Sequence, residues 1–73
     1  MAIQIVMDHT GDSRHTFDPR DAEAVTTAEN RFKALTNAGF TAARRTAAGE
    51  SRRMTTFDPK VDETLFFPRL VGG

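Results

Sequence analysis

The sequence predicts an α+β domain in which one helix packs on one face of a mixed sheet. Three observations lead to this class. Residues 3–7 alternate like a strand, residues 19–38 carry a long amphipathic helical pattern, and short strand-like runs fill the second half. Seventy-three residues leave room for a single domain, which we expect over residues 1–68, followed by a flexible tail at 69–73.

The first two elements form a predicted β-hairpin. Residues 3–7 alternate with period two, and because Val6 is apolar on the second face, we expect both faces to be partly covered. Residues 9–12 supply turn chemistry, with Gly11 free to adopt positive φ. Residues 13–17 then return as the second strand.

The helix is predicted from 19 to 38. Asp18 is suited to cap it, and Pro19 is suited to the first helical position, where its missing N–H costs nothing. Gly39 provides a stop in the left-handed conformation. One apolar stripe at three- and four-residue spacing follows the start, formed by Val25, Ala28, Phe32 and Leu35.

The second half predicts another hairpin and a final strand. Residues 40–46 and 52–57 should pair across a turn at 47–50. We expect a single helical turn at 58–63 and then a short apolar strand at 64–67. Pro68 should stop the hydrogen bonding of that strand, because proline has no N–H to donate.

A repeated tetrapeptide, Thr-Phe-Asp-Pro, occupies residues 16–19 and 56–59. A period of this size can indicate a duplicated unit. The segments that follow the two copies differ, however, since a long helix follows the first and a short turn the second. We therefore predict that each copy ends a strand on a buried phenylalanine and caps the turn that follows.

The predicted order is strand, strand, helix, strand, strand, turn, strand. The most apolar strands, 3–7 and 64–67, should lie side by side and parallel in the middle of the sheet, where contact with water is smallest. A mixed sheet of this order with one helix across it is a β-grasp layout.

The last eight residues, Phe-Phe-Pro-Arg-Leu-Val-Gly-Gly at 66–73, strengthen that interpretation. They resemble the ends of the ubiquitin superfamily, in which ubiquitin closes with Leu-Arg-Leu-Arg-Gly-Gly. The sulfur carriers of molybdopterin and thiamine biosynthesis often close with an apolar strand and Pro-Pro-Val-Ala-Gly-Gly. Arg69 replaces the second proline of the carriers, and Leu70 and Val71 are larger than their counterparts. Both a protein modifier and a sulfur carrier therefore stay open.

The resemblance implies a function carried by the tail. A partner adenylating enzyme, using ATP and magnesium, would activate the carboxylate of Gly73, and Gly72 would pass a narrow channel because it lacks a Cβ. Arg69 and Leu70 would be recognised by that partner. A conjugating enzyme or a protease would be further partners. The protein itself would hold no catalytic residue, no metal and no bound cofactor.

An alternative function rests on four arginines in the second predicted hairpin. Arg44, Arg45, Arg52 and Arg53 should face each other across it, and guanidinium groups so close repel unless they meet acids or phosphates. The chain would then be a small non-catalytic binding module that docks an acidic protein or nucleic acid. Its glycines would be incidental.

Composition argues against several other classes of protein. Ten basic and ten acidic residues cancel, which argues against a nucleic-acid partner. No run approaches the ~18 apolar residues of a membrane span, and residues 1–7 do not resemble a signal peptide. We therefore expect a soluble cytoplasmic protein without a membrane partner. A chain this small seldom forms a pocket of ~300 Å³, so we expect no enzyme.

Potential metal ligands and nucleophiles cluster around the first hairpin. Asp8, His9, Asp12 and His15 are residue types that bind divalent metals, but their spacing matches no metal motif. We expect them to be solvated loop residues. Ser13, Thr10 and His15 include the residue types of a nucleophile and a base, but so short a segment indicates neither an oxyanion-binding loop nor an orienting geometry, and we expect no catalysis there.

Overall fold

A five-stranded mixed sheet with a single helix forms the described part of the chain. The computed structural model describes residues 1–46 and 48–68. Its elements in chain order are β1 (Ala2–Asp8), β2 (Gly11–Phe17), α1 (Ala22–Asn37), β3 (Phe40–Arg45), β4 (Ser51–Met54) and β5 (Glu63–Pro68). The predicted α+β class is confirmed. The predicted tail at 69–73, and Ala47 of the predicted turn, lie outside the described residues.

The strands follow the spatial order β2-β1-β5-β3-β4. β1 pairs with β2 antiparallel and with β5 parallel, with Ile5 opposite Leu65 in the parallel pair. β3 pairs antiparallel with both β5 and β4. The first and last strands are therefore parallel neighbours in the interior of the sheet, as the sequence predicts. The edges are the polar β2 and the four-residue β4.

The helix begins later than predicted. Its N-cap is Asp21, not Asp18, and the carboxylate of Asp21 accepts hydrogen bonds from two backbone N–H groups of the first turn at 3.1 and 3.4 Å. The backbone N–H of Asp21 donates to the carbonyl of Asp18 at 3.0 Å, which closes a β-turn with Pro19 at its second position. Proline suits that position as well as a first helical position, so either assignment was compatible with the sequence. The predicted stop at Gly39 is confirmed, with φ of 101°.

The two Thr-Phe-Asp-Pro segments form the same turn. In each, the aspartate carboxylate accepts a hydrogen bond from the backbone N–H two residues further on, at 2.9 Å for both Asp18 and Asp58. The rings of Phe17 and Phe57 meet, with centroids 6.3 Å apart. Phe17 ends β2 and is buried, as predicted, whereas Phe57 is half-buried and lies three residues beyond the end of β4, so the prediction is wrong for the second copy.

Two predicted segments of the second half are wrong. The helical turn predicted at 58–63 is a hydrogen-bonded β-turn, in which the N–H of Val61 reaches the carbonyl of Asp58 at 3.2 Å. β4 ends at Met54, three residues before the predicted end, because the chain leaves the sheet to bring Phe57 under α1. β5 includes Pro68, which lies opposite Phe40.

Two buried clusters fill the space between α1 and the sheet. The larger consists of Val6, Phe32, Ala42, Met54, Val61 and Phe66. The smaller consists of Ala2, Phe17 and Ala28. Phe32 meets Phe57 and Phe66 edge to face, with ring centroids 5.9 and 5.7 Å away. Its predicted burial is confirmed, whereas Leu35 is only partly buried against the larger cluster.

The buried face of β1 carries a glutamine. Ala2, Gln4 and Val6 are buried beneath α1, and Ile3 and Ile5 lie half-buried on the opposite, helix-free face of the sheet. Both faces of β1 are thus partly covered, as predicted. The assignment of the residues to the two faces places a polar side chain where apolar side chains are usual.

Gln4 satisfies its polar atoms through the helix. Its Nε2 donates to the carbonyl of Ala28 at 3.0 Å, and Nη1 of Arg31 donates to its Oε1 at 2.8 Å. The Gln4 side chain has no exposed surface. These two hydrogen bonds join the middle of α1 to β1 at one register, because a helix shifted along the sheet would leave buried polar atoms unpaired.

Candidate functional site

The residues predicted to carry activation lie beyond the described chain. Gly72, Gly73, Arg69 and Leu70 all fall outside residues 1–46 and 48–68. The chain reaches residue 69 from β5, which is hydrogen-bonded on one side to β1 and on the other to β3. The segment preceding the predicted tail is therefore held by the centre of the sheet.

The four arginines of the second hairpin separate into two pairs. Arg44 lies directly opposite Arg52, whereas Arg45 lies opposite a serine and Arg53 opposite an alanine. Successive strand residues point to opposite faces of a sheet. The prediction that all four face each other is therefore wrong, and it holds only for Arg44 and Arg52.

The neighbouring core pair identifies the face of each arginine. Ala42 lies opposite Met54, and both belong to the cluster beneath α1. Arg44 and Arg52 are each two residues from that pair and so share its face, beyond the end of the core. Arg45 lies on the helix-free face, and its Nη1 is 3.7 Å from the Glu63 carboxylate.

Two adjoining surface grooves lie beside Arg44. The larger has a volume of about 370 Å³ and the smaller about 150 Å³, and both are lined by Arg44, Asp58 and Val61. The larger groove is also lined by Arg45, Thr46, Lys60 and Asp62, whereas Arg52 lines neither groove. Buried Val61 forms part of its wall, so an apolar residue lies there among both cationic and acidic side chains.

Arg44 and Arg52 lack acidic partners within the described chain. The ion pairs found in residues 1–46 and 48–68 are Arg20–Asp18, Lys33–Glu29 and Arg45–Glu63. None involves Arg44 or Arg52, although directly opposed residues on one face have their Cβ atoms only about 4.5–5.5 Å apart. Like charges on directly opposed residues weaken a strand pair unless a counter-charge joins them.

The helix-free face of the sheet carries an apolar surface that sequence reasoning did not assign to a site. Its central members, contributed by β1, β5 and β3, are Ile3, Ile5, Met7, Leu65, Phe67 and Ala43. Phe67 is 37% exposed and the β1 members are half-buried, whereas Leu65 and Ala43 are buried. Arg14 lies opposite Ile5 and Arg53 opposite Ala43, which places a cation on either side. The available signal was the three apolar residues at positions 3, 5 and 7.

In the first hairpin, the carboxylate of Asp8 accepts hydrogen bonds within its own turn. The hydroxyl of Thr10 donates to the Asp8 carboxylate, and this bond, together with one from the Thr10 backbone N–H, holds the pKa of Asp8 below its ordinary value. Across the described residues, no three histidine or acidic side chains come close enough together to hold a metal ion.

The Asp18 turn has the same electrostatic character. The backbone N–H of Arg20 and then its guanidinium donate to the carboxylate, and both lower the pKa of Asp18. Each lowered pKa follows from hydrogen bonds within a local turn. The shifts therefore report turn structure and not a reactive centre.

Comparisons of the chain with models of protein families, with curated proteins and with solved structures found no match. Function therefore has to be argued from the residues and their arrangement. Within the described residues no helix has both the length and the apolar character needed to cross a bilayer.

Proposed function

We propose that the protein is a ubiquitin-like modifier or sulfur carrier with a β-grasp domain, activated at the carboxylate of Gly73. One observation carries the proposal: β1 and β5 are parallel neighbours inside a mixed sheet whose one covered face packs on α1. This is the layout expected for a β-grasp domain. It makes the segment after β5 the natural position for a reactive tail.

The chemistry would take place on the tail, with this protein as the substrate. A carboxylate oxygen of Gly73 attacks the α-phosphorus of magnesium-bound ATP, and pyrophosphate leaves. An enzyme thiolate or a sulfur donor then attacks the resulting acyl-adenylate, and AMP leaves. The first nucleophile gives a thioester and the second a thiocarboxylate. The proposal requires Gly73 to bear the free carboxylate of the mature protein.

The helix-free face supports the proposal by offering contact area near the start of the tail. Phe67 of β5 is exposed on this face, whereas Leu65 on the same face is buried, and Pro68 is the last described residue of the strand. An enzyme that grips the tail would also cover a nearby surface, because five residues alone provide few contacts. Ile5 and its neighbours on β1 extend that surface away from the tail.

The test measures activation directly. Purified adenylating enzymes of the ubiquitin-activating type, supplied with ATP, magnesium and a sulfur donor, would each be incubated with the protein. Pyrophosphate exchange reports adenylation, and the intact mass of the product distinguishes a thiocarboxylate from an enzyme-bound thioester. We expect exchange with at least one such enzyme.

Two tail variants control the test. Removal of Gly73, and separately Gly72→Ala, should abolish exchange while leaving the melting temperature within about 1 °C of the parent, since neither glycine contributes a side chain to the core. Full exchange by both variants would refute a role for the glycines. Loss of stability in both would instead make the tail a structural element of the fold.

A further inference from the structure

We propose that Arg44, Arg52 and Lys60 form a docking site for an acidic protein segment that carries an apolar side chain next to its carboxylates. This site lies on the helix side of the β3–β4 edge. It does not involve the glycine tail, so a test of this site is separate from a test of the activation proposed above.

The site carries positive charge that no acidic residue of the described chain pairs with. Arg44 and Arg52 are directly opposed on one face and make no ion pair with any residue of the described chain. Lys60 lines the same groove as Arg44, as does Arg45, which is paired with Glu63, while Arg52 lies outside the groove and opposite Arg44 on the neighbouring strand. A carboxylate placed between two guanidinium groups removes their mutual repulsion and accepts charge-assisted hydrogen bonds from both, which gives the free protein a standing preference for an anion there.

Asp58 does not supply that anion. Its carboxylate oxygen Oδ1 accepts the backbone N–H of Lys60 at 2.9 Å, which directs the side chain into its own turn. No nitrogen of Arg44 or Arg52 lies within 4.0 Å of it, since such a contact would be an ion pair. Asp62, the other acidic residue of the larger groove, likewise makes no ion pair with either arginine.

The recess accounts for the apolar part of the ligand. Val61 is buried at 8% exposure and Met54 at 9%, and they line the larger and the smaller groove respectively. The larger groove holds about 370 Å³, enough for one or two side chains of a peptide. An apolar side chain seated there would be flanked by Arg44, with the acidic neighbours reaching the cations at the rim.

The same groove disfavours nucleic acid. Asp58 and Asp62 line it and would repel any run of anions along the groove, so the carboxylates of a ligand have to lie at the rim beside Arg44 and Arg52, which a short segment can do and a continuous phosphate backbone cannot. Among the described residues that line the two grooves none is aromatic, so these residues offer bases no stacking surface. The chain as a whole has zero formal net charge, which provides no long-range attraction for a polyanion.

The probe is a fluorescein-labelled, amidated pentapeptide, Glu-Asp-Leu-Asp-Glu, titrated with the full chain at low salt. We expect saturable binding that weakens as salt rises, and amide shifts in two-dimensional NMR that centre on Arg44, Arg52 and Val61. A peptide with serine in place of leucine should bind several-fold more weakly, on the order of three- to tenfold, if the recess is used.

The matched variants remove equal charge from the two faces. Arg44→Ser with Arg52→Ser should weaken binding at least about tenfold, because both cations that hold the carboxylate are lost. Arg14→Ser with Arg53→Ser, on the helix-free face, should leave it within about twofold. Thermal unfolding monitored by circular dichroism verifies that both double variants are folded. If the Arg44 and Arg52 double variant is unfolded, the single variant Arg52→Ser replaces it, because Arg52 is exposed on an edge strand.

Three outcomes would overturn the proposal. The first is that the parent protein fails to bind the acidic peptide at millimolar concentration. The second is that the two double variants lose affinity equally, which would show that binding depends only on net charge. The third is tighter binding of a single-stranded oligonucleotide of equal charge, with the same loss in the Arg44 and Arg52 variant. That result would assign the site to nucleic acid.

Discussion

Substitution of Phe32 by alanine tests whether α1 and the sheet share one core. The side chain is 3% exposed and lies in the centre of the larger cluster. Transfer of a phenylalanine side chain out of water contributes about 1.5–3 kcal/mol. Each edge-to-face contact, with Phe57 at 5.9 Å and Phe66 at 5.7 Å, adds about 0.5–1.5 kcal/mol. Because these contributions overlap, Phe32→Ala should cost about 3–5 kcal/mol.

That loss is large for this chain. At about 0.05–0.15 kcal/mol per residue, 73 residues give a total free energy of unfolding of about 4–11 kcal/mol. Urea denaturation monitored by circular dichroism should therefore show a midpoint far below that of the parent, or an unfolded fraction without denaturant. The slope of the free energy against urea should stay unchanged if the variant remains two-state.

Phe67→Ala is the matched control, since it makes the same chemical change on the helix-free face. Phe67 is 37% exposed and faces solvent, so its removal leaves an open surface and not a cavity. We expect a loss of about 1–2 kcal/mol. A loss below about 1 kcal/mol for Phe32→Ala, or equal losses for the two variants, would show that the buried face has been assigned wrongly.

Three further perturbations test the contact between β1 and α1, the end of α1 and the two aspartate turns. Gln4→Ala should cost about 2–4 kcal/mol by urea denaturation, because it opens a cavity and removes both helix contacts, whereas Gln4→Met should recover at least half of that loss. Gly39→Ala should cost about 1–2 kcal/mol from its φ of 101° alone, since no atom beyond its two chain neighbours lies within 4 Å of the added Cβ, and an unchanged midpoint would refute that φ. The pKa values of Asp8 and Asp18 are lowered in the fold, so their contribution is present above the ordinary value of 3.8 and is lost as pH falls through the folded values. The melting temperature should therefore fall in acid below about pH 4, with a shallower fall in Asp18→Asn, and an identical acid profile for that variant would contradict the turn hydrogen bonds.

Local patterns determined which elements form and where most of them lie. The helical stripe through Phe32 and the stop at Gly39 depend on spacing and backbone freedom within a few residues, and both agree with the structure. The parallel pairing of the first and last strands also followed from the sequence, because the two most apolar strands lose least by occupying the interior. The shared turn of the repeated Thr-Phe-Asp-Pro segments is a local property as well, set by Asp18 and Asp58.

Choices between locally equivalent alternatives required the tertiary structure. Asp18 and Asp21 are equally good caps, and the choice of Asp21 followed from a turn at Pro19 that is part of how the chain crosses from β2 to α1. The division of the four arginines between two faces depends on the β3–β4 register, which places Arg44 and not Arg45 opposite Arg52. A shift of one residue in that register would have reversed every face.

The buried face of β1 was the feature hardest to predict from the sequence alone. A strand with Gln4 between apolar neighbours predicts that the glutamine faces water, since burial of an unpaired amide costs free energy. Only the packed helix supplies the carbonyl of Ala28 and the guanidinium of Arg31 that satisfy it. The sequence determined the elements through local energetics, and long-range hydrogen-bond partners then decided which face of β1 the helix covers and left Ile3 and Ile5 on the open side.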